Sequence, residues 1–301
     1  AHDAEVVSYF RWRQAPYAQE QMHAGLMYRD NTPAPGQEEA KQVSEELKKI
    51  KMPATEQSSI ALVHDYEACW MTEIDGQTYD FHYTRLLLDF YKAVRMNGGS
   101  LDIVGKNADF TGYKLVIIPS LVQFQEKDLQ RVVKSGAQIL AGPRTGIKTP
   151  DFQLPNELSL EGLGFQVRRV DALPRDLPIP IEWNGISGNF SVWREHGLTS
   201  GVSEGEASDG MAVLTSGNQG SYLCGWPDQK LLNAIMKNQM QLAGLEVIDL
   251  PEYLRVRRRG DLLFFTNYGS QEVSIPEIYQ GELLLGKRTL SQADISILKI
   301  N

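Results

Sequence analysis

The chain has 301 residues, of which 42% are hydrophobic and 23% are charged, and its formal net charge is −8. This composition is typical of globular proteins, and the length suits about two domains of roughly 150 residues each. A chain this acidic is a poor match for nucleic acid or for an anionic membrane surface, so we expect neither as a partner.

The two cysteines, Cys69 and Cys224, lie far apart in the sequence, which argues against a disulfide framework. We therefore expect a reducing, cytoplasmic location. We expect no metal or cofactor, because neither the cysteines nor the five histidines have metal-ligand spacing. No apolar run approaches the ~18–20 residues of a membrane span. Because the chain begins with Ala1 and not methionine, we expect that a preceding segment, with any targeting signal, has been removed.

Residues 1–54 are predicted to form one strand, one loop and one helix. The strand covers 6–12 and is apolar on both faces, which is typical of a parallel strand that is covered on both sides. The helix covers 37–51 and is stopped by Pro53. A strand running into a loop with polar groups is typical of a (β/α)₈ barrel, but only one such unit is present. We therefore expect this strand to need neighbours that the sequence does not contain.

Residues 55–247 are predicted to form an open α/β domain. Short apolar strands alternate with helices, an order that favours a sheet of mainly parallel strands. The predicted strands are 59–63, 101–104, 115–119 and 138–141, and the predicted helices are 79–96, 126–135 and 228–243. Between about 160 and 225 the helical pattern fades, and we expect antiparallel or irregular strands there. The tryptophans Trp183, Trp193 and Trp226 fit either a core or an interface.

Residues 248–301 are predicted to form a small all-β domain. Short apolar runs separated by Gly, Asn and Ser turns favour an antiparallel sheet. The predicted strands are 253–257, 261–267, 272–275, 281–285 and 295–300.

The loop after the first predicted strand carries Glu20 and His23. On a helical turn, residues with this spacing share one face, with their Cβ atoms about 5–6 Å apart. A carboxylate and an imidazole so placed can bind the vicinal hydroxyls of one sugar ring; the alternative is a surface Glu–His pair. Phe10, at the end of the strand, can be an apolar wall of the same site or a packed core residue.

Hydrolysis of a glycoside normally needs two carboxyl groups, about 5–5.5 Å apart in retaining enzymes and ~6.5–9.5 Å apart in inverting ones. Within the barrel-like segment, only Glu20 lies on the carboxyl side of the predicted strand. The other glutamates of the segment lie at the far end of the strand or on the helix. We therefore expect this chain alone to lack the means to cleave a glycosidic bond.

The stretch 142–149 resembles a phosphate-binding loop. Ile147 separates the second glycine from the lysine, and Pro143 has no amide hydrogen to donate, so the Walker spacing fails. A turn at the end of a strand is the preferred interpretation.

Cys69, with His64 and His82 near it in sequence, suggests a thiol nucleophile. Open α/β sheets that carry such a cysteine hold it on a sharp turn between strand and helix. The turn after strand 115–119 has neither a cysteine nor a glycine pair. We therefore interpret Cys69 as a small, buried hydrophobic residue.

A set of unusual motifs occurs in a fixed order along essentially the whole chain. They are Ser8-Tyr9-Phe10-Arg11-Trp12-Arg13-Gln14, Glu20-Gln21-Met22-His23-Ala24-Gly25, Ile60-Ala61-Leu62-Val63, Asp65-Tyr66-Glu67, 113–120 and Gly142-Pro143-Arg144-Thr145-Gly146. In these motifs the chain resembles glycoside hydrolase family 42, the bacterial β-galactosidases. The resemblance implies an α/β protein in three parts. These are the last β-loop-α unit of a (β/α)₈ barrel over 1–54, a flavodoxin-like trimerisation domain similar to class I glutamine amidotransferases over 55–247, and a small antiparallel β domain over 248–301.

The same resemblance implies retaining hydrolysis of terminal β-D-galactosides by two glutamates. Both are expected before residue 1, so no catalytic residue is assigned within this chain. By position, the resemblance implies that Glu20 and His23 bind galactose hydroxyls and that Phe10 belongs to the wall of the sugar site. It also implies a homotrimer that forms through the middle domain.

Our leading hypothesis is that the chain is part of a β-galactosidase, to which it contributes galactose-binding residues and an oligomerisation surface. A stand-alone, non-catalytic α/β module for oligomerisation or sugar binding is the first alternative. The second alternative is a cysteine-dependent amidotransferase-like enzyme, which would use Cys69.

Overall fold

A computed structural model describes most of the chain, namely residues 4, 6–76, 78–155, 158–160 and 162–300. The chain divides into two units. The terminal unit comprises residues 1–56 and 257–301, and the middle unit comprises residues 57–256.

The helices of the described residues are α1 (Pro35–Lys49), α2 (Tyr66–Ile74), α3 (Tyr83–Met96), α4 (Glu126–Val133) and α5 (Gln229–Leu242). The first ten strands are β1 (Ile60–His64), β2 (Asp102–Gly105), β3 (Leu115–Ile118), β4 (Gln138–Ala141), β5 (Leu158–Leu160), β6 (Phe165–Ala172), β7 (Ile179–Trp183), β8 (Ile186–Thr199), β9 (Val202–Glu204) and β10 (Glu206–Ala207). The remaining strands are β11 (Leu214–Ser216), β12 (Ser221–Leu223), β13 (Gly225–Pro227), β14 (Leu254–Arg259), β15 (Leu262–Asn267), β16 (Val273–Ser274), β17 (Glu282–Leu285), β18 (Thr289–Leu290) and β19 (Ile295–Lys299).

The middle unit is built on a seven-stranded sheet in the order β2-β1-β3-β4-β12-β11-β9. The first five strands are parallel, and β11 and β9 are antiparallel to their neighbours. In the register, Ala61 of β1 lies opposite Asp102 on one side and Val116 on the other. Strands β1, β3 and β4 are apolar apart from His64 and Gln138, as expected of parallel strands whose two faces are both covered. The predicted open sheet of mainly parallel strands is confirmed.

Helix α2 was not predicted, because its sequence has little amphipathic contrast. The helix buries only a few small or flexible side chains, which are Ala68, Met71 and Thr72. Its large apolar residues Tyr66, Trp70 and Ile74 face outward and are 67%, 56% and 76% exposed. A periodicity search looks for a polar outer face, so it does not find this helix.

A second sheet of the middle unit has the order β10-β7-β8-β6-β5, with β13 paired to the long strand β8. Its pairs are antiparallel, which confirms the expectation of antiparallel strands between 160 and 225. Trp183, Trp193 and Trp226 are almost completely buried, so they belong to the core. The ring of Phe81 makes edge contacts with two of them, with centroids 5.9 Å from Trp193 and 5.4 Å from Trp226.

The predicted strand over 6–12 is wrong. Residues 6–9 belong to no helix or strand, and Arg13 makes only an isolated parallel bridge with Met27. A parallel strand needs hydrogen-bonded neighbours along its length, and among the described residues backbone hydrogen bonds reach this segment only at its end, at Arg11 and Trp12. Its large side chains are correspondingly exposed; Val6 is 81% exposed and Trp12 64%.

The rest of the terminal unit contains α1 and the strands β15, β19 and β17, which lie in that order in one sheet. Strand β19 pairs antiparallel with both β15 and β17, which confirms the predicted antiparallel sheet. A small cluster of buried apolar side chains lies at its centre, made of Ile50, Leu262, Phe264 and Ile297. Helix α1 has no fully buried residue, and Leu47 on its apolar face is 50% exposed. The three-part division at 54/55 and 247/248 stays a prediction.

Candidate functional site

The loop between Arg11 and Met27 is closed at its base by backbone hydrogen bonds. Leu26 N–H donates to Arg11 O over 2.9 Å, and Met27 N–H donates to Trp12 O over 2.7 Å. Gln14 N–H donates to Met27 O over 3.1 Å, which completes the parallel bridge. The intervening residues, 12–26, therefore form a compact surface loop whose ends are held together.

Gly25 is required at this base, because the two chain segments approach each other very closely. A Cβ atom at this position would lie 2.7 Å from both Arg13 C and Gln14 N. Both are backbone atoms, which a side chain cannot push aside. Glycine therefore fixes the point at which the loop returns to its first segment.

The structure brings together the three residues predicted to bind substrate. The rings of Phe10 and His23 meet edge to face, with centroids 6.0 Å apart and an interplanar angle of 78°. The peptide bond between Phe10 and Arg11 is cis. Glu20 and His23 lie on one turn of backbone, in which His23 N–H donates to Glu20 O over 3.1 Å. This turn is not helical as expected, since Glu20 has the left-handed φ of 62°.

Sequence reasoning missed the role of Arg11 in this loop. Its Nη1 lies 3.6 Å from Glu20 Oε2, and its guanidinium lies over the Phe10 ring, 5.4 Å from the centroid. Arg11 thus contacts both an apolar and an acidic member of the predicted site. An arginine next to an aromatic residue on an apolar segment was the available signal.

The loop presents these groups to solvent. The side chain of Glu20 is 52% exposed, and Phe10 is 70% exposed. A half-exposed carboxylate keeps free lone pairs that can accept hydrogen bonds from hydroxyl groups. The loop therefore offers an acceptor, an imidazole and an apolar ring within one small area, which is the kind of mixed surface that binds a small polar ligand.

A second set of polar groups lies deep in the middle unit, at the carboxyl end of β4. The backbone amides of the turn that follows are already occupied there. Arg144 N–H donates to Glu195 Oε1, Gly146 N–H to Leu121 O, and Lys148 N–H to Val122 O. The expected strand-ending turn is confirmed, because these amides point into the protein and cannot surround a phosphate.

Arg144 is fully buried in this turn, with its guanidinium between two aromatic rings. Its Cζ lies 4.6 Å from the centroid of Phe81 and 4.8 Å from that of Trp193. Its Nε and Nη1 have no hydrogen-bond partner among the described residues. The ring faces compensate part of the lost hydration of the cation. Burial nevertheless lowers the pKa of Arg144 to about 10, against the opposing attraction of Glu195.

Glu195 is the acceptor at the centre of this buried cluster. Besides the Arg144 amide, it accepts hydrogen bonds from Tyr222 OH over 2.7 Å and from Trp193 Nε1 over 3.3 Å. Burial raises the pKa of Glu195, and the hydrogen bond from Tyr222 acts in the opposite direction. All members of the cluster are buried, so we interpret it as a structural feature and not as a ligand site.

Two family models match the chain. Residues 58–246 match the model of the β-galactosidase trimerisation domain, and residues 1–50 match a model described as β-galactosidase. The chain belongs to the family 42 β-galactosidases. The candidate loop lies within the matched residues 1–50, and the Arg144–Glu195 cluster lies within the matched trimerisation domain.

Individual relatives agree with the family models. β-Galactosidase BgaA of Thermus sp. is 41% identical over 304 aligned positions, which cover 99% of this chain and 47% of that protein. The crystal structure of a β-galactosidase from the psychrophilic Marinomonas ef1 matches with a TM-score of 0.92 at 35% identity, over 99% of this chain and 47% of that one. A β-galactosidase from the Antarctic haloarchaeon Halorubrum lacusprofundi matches with a TM-score of 0.90 at 27% identity, over 97% and 47%. This family 42 chain therefore spans about half the length of the relatives it matches.

The surroundings of Cys69 give little support to the second alternative, a cysteine-dependent amidotransferase-like enzyme. Cys69 lies in the middle of α2 and not on a turn between strand and helix. It is only partly buried, which corrects the expectation of a buried residue. Partial burial and the neighbouring Glu73 raise the pKa of Cys69, whereas a nucleophilic thiol needs a lowered pKa.

In the part of the chain that the structure describes, no helix is long and apolar enough to cross a bilayer.

Proposed function

We propose that this chain serves as part of a retaining β-galactosidase that hydrolyses terminal β-D-galactosides. In this proposal, residues 1–54 supply the last unit of the catalytic barrel and part of the galactose subsite. Residues 55–247 are the domain through which copies assemble into a trimer, and residues 248–301 are a small β domain. Both cysteines are free thiols, which supports a reducing, cytoplasmic location.

The observation that carries the proposal is the convergence of Phe10, Glu20 and His23 on one solvent-facing surface. Glu20 is the one carboxylate between Phe10 and Met27 in the sequence, so the loop supplies a single acid. Retaining hydrolysis needs two carboxyl groups about 5–5.5 Å apart. The nucleophile and the acid/base must then come from residues other than those of this loop.

In the proposed site, each residue has a binding role. The carboxylate of Glu20 accepts hydrogen bonds from galactose hydroxyls, and the imidazole of His23 binds a neighbouring hydroxyl. The ring of Phe10 covers an apolar C–H face of the sugar. Hydrogen bonds to sugar hydroxyls strengthen in the oxocarbenium-like transition state, so they lower the barrier as well as the dissociation constant. Arg11 holds the carboxylate of Glu20 toward this surface.

A chimera tests the proposal directly. We would replace the aligned carboxyl-terminal half of Thermus sp. BgaA with this chain and measure hydrolysis of a chromogenic β-galactoside. We expect an active chimera, in which Glu20→Gln lowers kcat/KM by about 10- to 100-fold, since a hydrogen bond to a charged group contributes about 1.5–3 kcal/mol. The 301-residue chain alone should give no turnover above the blank.

Glu38→Gln is the matched control, because Glu38 is an exposed residue of α1 that lies outside the loop residues 11–27. It should leave kcat/KM within about twofold of the parent chimera, as expected for a surface substitution. Equal kcat/KM for Glu20→Gln and its parent would contradict the role of Glu20. Turnover by the 301-residue chain alone would contradict the argument from the missing carboxyl pair.

A further inference from the structure

The outer face of α2 is an apolar surface in the middle unit. Tyr66, Trp70 and Ile74 follow one another at four-residue spacing, so they form one stripe along the helix. Ile103 on β2 is 58% exposed and lines the same shallow concavity as Tyr66 and Trp70. We call these four side chains the α2 patch.

The two aromatic members of the α2 patch contact each other and a neighbouring ring. The rings of Tyr66 and Trp70 lie 6.2 Å apart, and His64 contacts the edge of Tyr66 with centroids 4.6 Å apart. Next to these rings, Lys106 Nζ lies 3.1 Å from Asp65 Oδ2 and 2.5 Å from Glu67 Oε2. A surface ordered in advance loses little side-chain entropy when it is covered.

The α2 patch is as large as the largest exposed apolar patch on a typical monomer, which is about 300–600 Å² and is often functional. Taking about 150–250 Å² for a whole aromatic side chain, the four residues expose on the order of 400–500 Å² of mostly apolar area. Contiguous patches of a few hundred Å² or more generally mark interaction sites. A standard protein interface covers about 800 Å² on each partner, so the patch would form its apolar centre and leave room for a polar rim.

We propose that the α2 patch is the contact through which one copy of this chain binds a second copy. This inference rests on the proposed function, because the patch lies within the residues that match the trimerisation-domain model. Exposed tryptophan and tyrosine are the residue types that dominate interface energies. In a closed trimer each contact joins two different surfaces, so the patch of one copy covers another part of the next copy and not its own equivalent.

Trp70→Glu in the 301-residue chain is the main test, with sedimentation velocity as the readout. The site is exposed and glutamate is a good helix former, so the fold should survive the change. We expect the wild-type chain to sediment as an oligomer. The dissociation constant for self-association of the variant should be at least about tenfold higher, as is typical for the loss of a central tryptophan. Leu242→Glu is the control; Leu242 ends α5 and is 61% exposed, and its change should leave assembly intact.

Hydrogen exchange of the unmodified chain gives a second readout that needs no variant. The amides of α2 should become more protected as the chain is concentrated and assembles, whereas those of α4 should not. An oligomer whose α2 amides stay unchanged, or a Trp70→Glu chain that assembles like wild type, would overturn this inference and leave the galactose site untouched. Protection of α2 by galactose in a monomeric chain would overturn it in favour of a sugar-binding surface.

The two proposals fail in different ways. A wild-type chain that stays monomeric would overturn the α2 contact and the oligomeric part of the proposed function. The effect of Glu20→Gln on the chimera would still decide the galactose subsite, because that readout depends on the terminal unit.

Discussion

The chain contains two pairs of arginine and glutamate in opposite surroundings. Arg11 and Glu20 lie on an exposed loop, with 3.6 Å between Arg11 Nη1 and Glu20 Oε2. Arg144 and Glu195 lie in the core of the middle unit, where both are at most 1% exposed. The same two side-chain types are thus available for binding in one region and closed off from it in the other.

The difference lies in what satisfies each carboxylate. Glu195 accepts hydrogen bonds from a backbone amide, an indole and a phenol, so the protein itself satisfies it. Among the described residues, Glu20 has one loose cationic neighbour, and about half of its side chain is open to solvent. A satisfied buried carboxylate stabilises the fold against rearrangement, whereas a solvent-exposed carboxylate can exchange water for a ligand at small cost.

The largest expected effect is that of Glu195→Ala on stability. The change leaves three buried donors without an acceptor and the Arg144 cation without its counter-charge. We expect a loss of about 3–5 kcal/mol in the free energy of unfolding, since each buried donor left without an acceptor costs about 1–3 kcal/mol. The urea midpoint of tryptophan fluorescence measures it.

Two further variants define this effect. Glu206→Ala removes an exposed glutamate from β10 and should change stability by no more than about 0.5 kcal/mol. Glu195→Gln keeps the shape and one acceptor, so it should fall between the two, at about 1–3 kcal/mol. A Glu195→Ala protein as stable as wild type would show that the buried hydrogen bonds contribute no net stability.

The buried cluster could not be predicted from the sequence, because its members come from distant segments. Arg144 was placed in a turn, and Glu195 lies in an Arg-Glu-His run that looks like an exposed strand. Only the packing of β8 against the turn after β4 buries them together. Local patterns carry no information on such contacts between distant residues.

The loop was predictable in composition but not in conformation. Phe10, Glu20 and His23 were identified from their types and spacing, and the structure does bring them together. The strand 6–12 was predicted from its apolar residues, but apolar residues alone do not supply hydrogen-bond partners. In contrast, β1, β3 and β4 were found with nearly correct bounds, because their neighbours are present in the same chain.

The two cysteines repeat the contrast between half-buried and buried groups. Burial raises the pKa of the thiol of Cys224 far above its usual range, and burial together with Glu73 raises that of Cys69 less strongly. The thiolate is the reactive form, so a raised pKa means less reaction at a given pH and a rate that still increases above pH 9. On dilute protein, iodoacetamide should modify Cys69 more slowly than free cysteine, and Cys224 only after unfolding.

Glu73→Gln should speed the alkylation of Cys69 several-fold, because it removes the negative charge that disfavours the thiolate. Glu67→Gln is the control on the same helix, since Glu67 pairs with Lys106 and not with the thiol. Equal rates for the two variants would show that partial burial alone sets the reactivity of Cys69.

The smallest expected effect is that of Glu20→Gln on stability. The ion pair with Arg11 is exposed and its N–O distance is long, so water and salt screen most of the attraction. We expect the free energy of unfolding of the 301-residue chain to change by no more than about 0.5 kcal/mol, against the larger loss for Glu195→Ala. Urea unfolding of both variants under one set of conditions measures the difference. A loss of 2 kcal/mol or more for Glu20→Gln, on the scale expected of a satisfied buried group, would mean that Glu20 supports the loop itself. The reduced turnover of the chimera would then report a damaged structure and not a lost contact with galactose.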